Sequence, residues 1–482
     1  MTGVRHFHRL RTIALGVVAA LLLWQVVAQS FAAYLADGAP QTALWLHPRL
    51  PAALIGLADR ALEAASKTRA ATEGADQRAD QAADASGDVT DGRRLPAPGG
   101  TGKSVGDLDR AFSAFEAVGQ NQSVTRPIAP DNAPAVRAWA RTALRGEPLS
   151  AHALRILGLL AEADGDDVGA LRFMDAAARL SLHDGVTDFW LMQKSIRAKD
   201  DKAALYYADV LLRTAPDLAT YVVPVLAHIA EEKGSSRLLN AVLADNPPWR
   251  KEFFAALPNS ITDARTPLGV LMALRQSATP PSPTEVGDYV NFLVARKFYD
   301  LAYYTWLQFL PPAELRSAGK LFNGSFEVTP SGSPFDWQLR SGAGVTVDIV
   351  PRSDKGGGHA LLVDFQYGRV EFHSVTELVM LAPGAYEFKG QYKGKLVGPR
   401  GLKWRVACVG GAASAAPLGE SPMIIGMTPT WRAVAFNFTV PAKDCKAQMV
   451  GLDLEARMAS EQLVSGSMLF DELEIARVAN PS

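Results

Sequence analysis

The stretch Ala143-Leu144-Arg145-Gly146-Glu147-Pro148 decides how much of this chain is read, because its pattern returns every 34 residues. Ala177 and Leu182 stand one period after Ala143 and Pro148, and Leu211 and Pro216 stand one period further on. Inside the period Ala170 aligns with Ala204, Met174 with Ala208, and Leu157 with Leu191. Small residues at fixed places let two helices approach closely, and a Pro just past a helix stops it. A period of this length marks stacked supersecondary units that bury a face only against their neighbours.

The pattern resembles the tetratricopeptide repeat, a pair of antiparallel helices stacked into an α-solenoid. That resemblance implies a surface that binds protein partners and carries no chemistry of its own. The first such helices are expected over residues 37–65, where Ala43-Leu44-Trp45-Leu46-His47-Pro48 reads as a helix ending and Leu54 and Leu57 open the next. From 66 to 107 the chain is Ala, Asp, Gly, Arg, Thr and Pro, almost without large apolar residues. Such a composition cannot offset its ordering entropy, so a linker or loop is expected there. The solenoid is expected again over 108–319, regular from Ala133 and degenerate after Pro216. Tyr303, Tyr304, Trp306 and Phe309 are expected to pack in a core or domain contact rather than to form a ligand cage.

At 482 residues the chain should divide into two or three domains. A net charge of −1 gives nucleic acid nothing general to hold, so no nucleic-acid partner is expected. Arg5, Arg9 and Arg11 lie in a basic tail, residues 1–11, followed by Thr12 to Ala36 without a charge. A run of that length spans a bilayer as a helix, with the basic side in the cytoplasm. The expectation is a single-pass anchor over 12–36 in the cytoplasmic (inner) membrane, the bulk of the chain lying in the periplasm. A cleaved signal peptide, with Val26-Val27-Ala28 as its cleavage site, is the alternative.

From Lys320 the texture changes to short alternating runs separated by Gly, Pro and Asp. Val434, Phe436, Phe438 and Val440 form one face of such a run while Ala433, Ala435, Asn437 and Thr439 form the other. Leu402, Trp404, Val406 and Cys408 alternate in the same way. This period of two predicts half-buried antiparallel strands, and their number predicts a β-sandwich over 320–478. Trp431 falls at the head of the first run and reads as one more packed ring. The two cysteines, Cys408 and Cys445, lie in this part. In an exported chain an isolated pair is most simply a disulfide, with two buried thiols as the alternative.

The run Leu321-Phe322-Asn323-Gly324-Ser325-Phe326-Glu327 enters this domain, and Leu469-Phe470-Asp471-Glu472-Leu473 leaves it. The N-G-x-F-E entry with the F-D-x-L exit resembles the carbohydrate-binding-module jelly roll. The resemblance implies that the two ends meet, and that Glu327 and Asp471 are ligands of a structural calcium, with strand capping as the alternative. It also implies a glycan face, to which Gln366, Tyr367, Arg369 and Arg405 are the candidate contributors among rings and polar groups. No other cofactor is expected. The string Ala97-Pro98-Gly99-Gly100-Thr101-Gly102-Lys103-Ser104 imitates a phosphate loop but follows no strand. Asp164-Gly165-Asp166-Asp167 imitates a calcium loop but lacks its closing Glu and reads as helix capping. No catalytic constellation emerges, since acids such as Glu371 and Glu377 carry no spacing signal.

The expected whole is a multidomain α plus β protein: transmembrane helix, α-solenoid, antiparallel jelly roll. The combination resembles tetratricopeptide-repeat proteins associated with cell-surface polysaccharide, and the role this resemblance implies is a non-enzymatic scaffold in its synthesis, assembly or export, holding envelope proteins by the solenoid and polysaccharide by the sandwich. A glycan-cleaving enzyme with its site at the solenoid–sandwich junction, and a purely protein-binding assembly factor, are the alternatives.

Overall fold

The computed structural model describes residues 24–36, 38–64, 133–354, 357–366, 368–370, 372, 375–410 and 416–478. The basic tail, the linker reading, the phosphate-loop-like string and residues 12–23 of the 12–36 run lie outside the described residues. Among the described residues no helix is long and apolar enough to cross a membrane. The chain divides into two compact units, Met1–Thr266 and Pro267–Ser482.

The first unit is helical. Ala151–Ala163, Gly185–Arg197 and Ala219–Glu231 follow one another at the 34-residue period, and so do Ala133–Gly146, Asp167–Leu180 and Asp201–Thr214. Local chemistry fixes these boundaries. Asp166 and Asp200, one period apart, each cap a helix N-terminus by accepting from the backbone N–H of Gly169 and Ala203 at 2.8 and 3.0 Å. At the other end the carbonyls of Ala143, Ala177 and Leu211 accept from Glu147, Ser181 and Ala215. Ala170, Ala204, Ala208 and Met174 are fully buried where the helices cross. Gly158 lies so close to Met174 that a Cβ would come within 3.0 Å of its side chain. Leu54, Ala58 and Leu62 of the helix at 51–64 share one core with Val136, Ala140 and Ile156. The helices on either side of residues 65–132 therefore pack as neighbours.

Two ionisable groups stand out in this unit. Arg155 is buried between Asp184 at 2.7 Å and Asp59 at 3.4 Å. Asp188 is fully buried, and neither of its carboxylate oxygens has a hydrogen-bond partner. Burial, with Asp184 nearby, pushes its carboxyl up to about 7. The folded protein thus holds this proton more tightly than the unfolded chain does, so Asp188 favours folding at low pH. That contribution is lost as pH rises from about 4 to about 7. Asp188→Asn is expected to remove the loss and to stabilise the protein at pH 8 by on the order of 2 kcal/mol. Denaturant titrations of both proteins at pH 4.5 and pH 8 check this. Equal gains at the two pH values would show that Asp188 is ionised in the fold.

The second unit opens with helices, among them Pro283–Ala295, started by a Ser282/Glu285 capping box, and Tyr299–Phe309. Ten strands follow among the described residues: β1 Gln338–Leu339, β2 Val345–Pro351, β3 His359–Phe365, β4 Val375–Val379, β5 Gly384–Val397, β6 Leu402–Cys408, β7 Gly419–Glu420, β8 Gly426–Val440, β9 Gln448–Leu454 and β10 Ser465–Arg477. They pair antiparallel into two five-stranded sheets, β1-β4-β9-β6-β7 and β2-β3-β10-β5-β8. The core between them holds Trp337, Trp404, Phe388 and Phe470. Alternation along β6 and β8 fits this arrangement: Leu402, Trp404, Val406 and Cys408 are buried, as are Val434, Phe438 and Val440, while Ala433, Ala435, Asn437 and Thr439 are exposed. Cys408 at the end of β6 is bonded to Cys445, which precedes β9, with an S–S distance of 1.99 Å.

Tyr299–Phe309 lies against the sandwich. The Trp306 ring meets Phe322 edge-on at 5.1 Å and Phe335 at 5.7 Å, and Tyr303 meets Phe335 at 5.1 Å. These two rings pack as their sequence pattern implies, whereas Tyr304 is exposed. Beneath them Glu377 is fully buried. One of its oxygens accepts from the Phe322 N–H at 2.7 Å, and the other has no partner. Burial raises its carboxyl well above the ordinary range.

Candidate functional site

The sandwich is closed where its two ends meet. Asn323 takes a left-handed backbone, φ 50°, and its side-chain amide both donates to and accepts from the backbone of Val328. This turn presents the Gly324 carbonyl to the N–H of Leu473 at 2.9 Å. On the β10 side the ladder with β5 shifts between Asp471 and Glu474, and Glu472 takes φ 52°. Such a bulge frees one main-chain N–H from the ladder and re-aims the side chains beside it.

The bulge sits in one wall of an open groove of about 880 Å³. Its floor is the face of β5, β8 and β10 turned away from the core. Gln391 lies opposite Ala433 on one side and Asp471 on the other, and Lys389 lies opposite Ala435 and Glu474. Small side chains at Ala433 and Ala435 leave the floor flat. Over it stand Gln391, whose amide donates to Glu472 at 2.6 Å, and Lys389, paired with Glu474 at 3.0 Å. That pairing raises the Lys389 ammonium. Glu387, Glu327 and the turn at Asn323–Ser325 also line it. The groove thus sets carboxylates, an amide and an ammonium around a shallow apolar strip, an arrangement suited to hydroxyl-rich ligands.

Glu327 and Asp471 do not form a calcium site. Glu327 accepts from the backbone N–H of His359 at 3.0 Å and pairs with its ring at 3.2 Å, contacts that hold its carboxyl below the usual range. Asp471, buried in β10, accepts from the Glu472 N–H at 2.6 Å and is paired with the Arg352 guanidinium. Arg352 also pairs with Asp354 at 3.0 Å and lies 4.6 Å over the Trp431 ring. A tethered cation already stands at Asp471, so the donor set does not fit calcium. Among the described residues no group of three or more His, Cys, Asp or Glu could hold a metal.

Trp431 is a correction to its sequence reading. It is no part of the core cluster; its indole N–H donates to Asp354 beneath Arg352. The residues taken from sequence as a glycan face are scattered. Gln366 and Arg369 follow β3 and are exposed. Arg405 lies in the other sheet, tied to Glu420 at 3.2 Å, Asp453 at 3.6 Å and Glu455. None of the three lines the groove, and Tyr367 lies outside the described residues. Of the acids weighed for hydrolysis, Glu377 is buried under Phe322, and Glu371 is also outside the described residues. The period-two alternation of β8 does mark Ala433 and Ala435 as outward, but their partners on β5 and β10 arise only from pairing.

No protein-family model matches the chain, and no curated protein does. Solved structures do match its C-terminal third. A family 4 carbohydrate-binding module is 14% identical, covering 33% of this chain and 99% of that one, with a TM-score of 0.26. A xylan-binding family 22 module from Paenibacillus barcinonensis is 18% identical over 32% of this chain and 92% of that one, with a TM-score of 0.23. A family 61 module solved with β-1,4-galactotriose is 15% identical over 33% and 99%, with a TM-score of 0.22.

Proposed function

We propose that this protein is a non-enzymatic, membrane-anchored scaffold of the bacterial envelope, acting in cell-surface polysaccharide synthesis, assembly or export. Its sandwich holds glycan in the β5–β8–β10 groove, and its helices, a tetratricopeptide-type solenoid, hold envelope proteins. The bulk of the chain faces the periplasm behind the uncharged run Thr12 to Ala36. The observation that carries the glycan reading is the groove itself. A flat strip at Ala433 and Ala435 lets a sugar ring approach the sheet, and Gln391, Lys389 and Glu472 offer donors and acceptors to its hydroxyls. The 34-residue helical period supports the protein-binding reading of the first unit.

Calorimetric titration of the full-length protein with a panel of soluble envelope polysaccharides tests the groove. Saturable binding is expected with at least one of them. Ala435→Trp, which fills the floor from an exposed position, is expected to weaken it at least tenfold while leaving thermal unfolding unchanged. EDTA is expected to have no effect, because Arg352 compensates Asp471. Absence of binding across the panel would leave the sandwich a protein-contact module, and release of oligosaccharides would make it part of an enzyme.

A further inference from the structure

We infer that a phospholipid bilayer covers the stripe formed by Trp24, Val27, Phe31 and Tyr34 on the helix at residues 24–36, seating the helical unit directly on the membrane surface. This rests on the membrane anchoring proposed above. One side of this helix is built into the unit: Ala32 and Ala36 are buried, and Ala36 shares a small core with Ala43 and Ala53. The stripe beside it is bare. Trp24 is 69% exposed, Val27 54%, Phe31 54% and Tyr34 81%. At 100° per residue these four positions fall within about 80° of one another, so they form one continuous apolar surface.

Rings of this size each carry roughly 150–250 Å² of surface, and leaving several in water together is unfavourable by a few kcal/mol. The sequence points to lipid as the cover. Residues 24–36 carry no charged side chain, and they continue the equally uncharged Thr12 to Leu23. As one helix the uncharged run 12–36 would be about 37 Å long, longer than a hydrocarbon core of about 30 Å. Its last turns, with Phe31 and Tyr34, therefore reach the headgroup level, where the amphipathic ring of Tyr is most stable. Trp45, in the next helix Pro40–Leu46, is 82% exposed and adds a further ring of this kind close in sequence. Because Ala32 and Ala36 are packed into the unit, no loose linker separates the unit from the bilayer.

The test uses the full-length protein in phosphatidylethanolamine–phosphatidylglycerol vesicles. Both native cysteines are in the disulfide, so a single Tyr34→Cys carries an environment-sensitive fluorophore. Tyr206→Cys, at another exposed ring of the same unit, serves as the control. Flotation with the vesicles reads the anchor; quenching by spin-labelled lipid reads the depth of the stripe. The expected result is flotation of both proteins, with strong quenching and a blue shift at position 34 and neither at 206. Flotation without quenching at 34, or with equal quenching at both positions, overturns this inference and leaves the anchor intact. A blue shift that grows with protein-to-lipid ratio but resists lipid quenching assigns the stripe to a second copy, and also overturns it. Absence of flotation removes the anchor reading and this one with it.

Discussion

Gly324→Ala is expected to destabilise the sandwich by about 3 kcal/mol or more, lowering its melting temperature by roughly 10 °C. A Cβ at this position would lie 1.9 Å from the carbonyl oxygen of Leu473 and 2.9 Å from its carbon. Both are main-chain atoms of β10, so no side-chain rotation relieves the contact. The Gly324 carbonyl accepts from the Leu473 N–H in the same place. Moving the turn away therefore breaks that bond and exposes the core edge at Phe326 and Trp337, both fully buried. Gly287→Ala is the control, since a Cβ there meets nothing within 4 Å inside the helix Pro283–Ala295. It should be neutral or stabilise by about 0.5–1 kcal/mol. Thermal unfolding of the three proteins, followed in the far ultraviolet, decides the matter. A Gly324→Ala protein as stable as the parent would mean that the two ends of the sandwich do not meet as described.

The second large effect is expected from the disulfide. Cys408 and Cys445 are 37 residues apart in sequence, and a cross-link closing a loop of that length restricts the unfolded chain by about 4 kcal/mol in the chain-entropy account. The bond ties the end of β6 to the loop before β9, two strands that already pair. Its loss should therefore weaken the sandwich without changing its topology. Replacing both cysteines by Ser is expected to lower the denaturation midpoint of the sandwich and to leave the helical unit untouched. Reductant should do the same to the parent protein and nothing further to the variant. Equal midpoints with and without reductant would show that the bond contributes nothing. Thiol counting on the denatured, unreduced protein should return none.

What could be read from sequence was what short-range chemistry decides. The helical period is legible because Asp166 and Asp200 cap their own helices, and because crossing points demand Ala at 170, 204 and 208. The alternation of β8 is legible because a strand with one face buried must repeat every two residues. The groove is not legible, since it exists only once Gln391 stands between Ala433 and Asp471, residues brought together by two separate pairings. The calcium expectation failed for a related reason. Asp471 does stand beside a positive charge, but the charge belongs to Arg352, 119 residues earlier in the chain. A motif that names an acid does not name its partner. Trp431 shares the odd-numbered register of Ala433 and Ala435, so strict alternation itself turns it away from the core.

The place of β10 in its sheet also sets an order on how the protein comes into being. This strand, the last among the described residues, is an interior one, flanked by β3 and β5. Until residues 465–477 have been synthesised, β3 and β5 each present an open row of main-chain donors and acceptors. Phe470, the inward ring of β10 against Trp404, is also missing from the core until then. The sandwich therefore cannot close until residues through 477 have left the ribosome, and any chain ending earlier carries two sticky strand edges. Nascent and truncated molecules are thereby distinguishable from finished ones by their unpaired strands alone, which is the kind of surface that chaperones and proteases recognise.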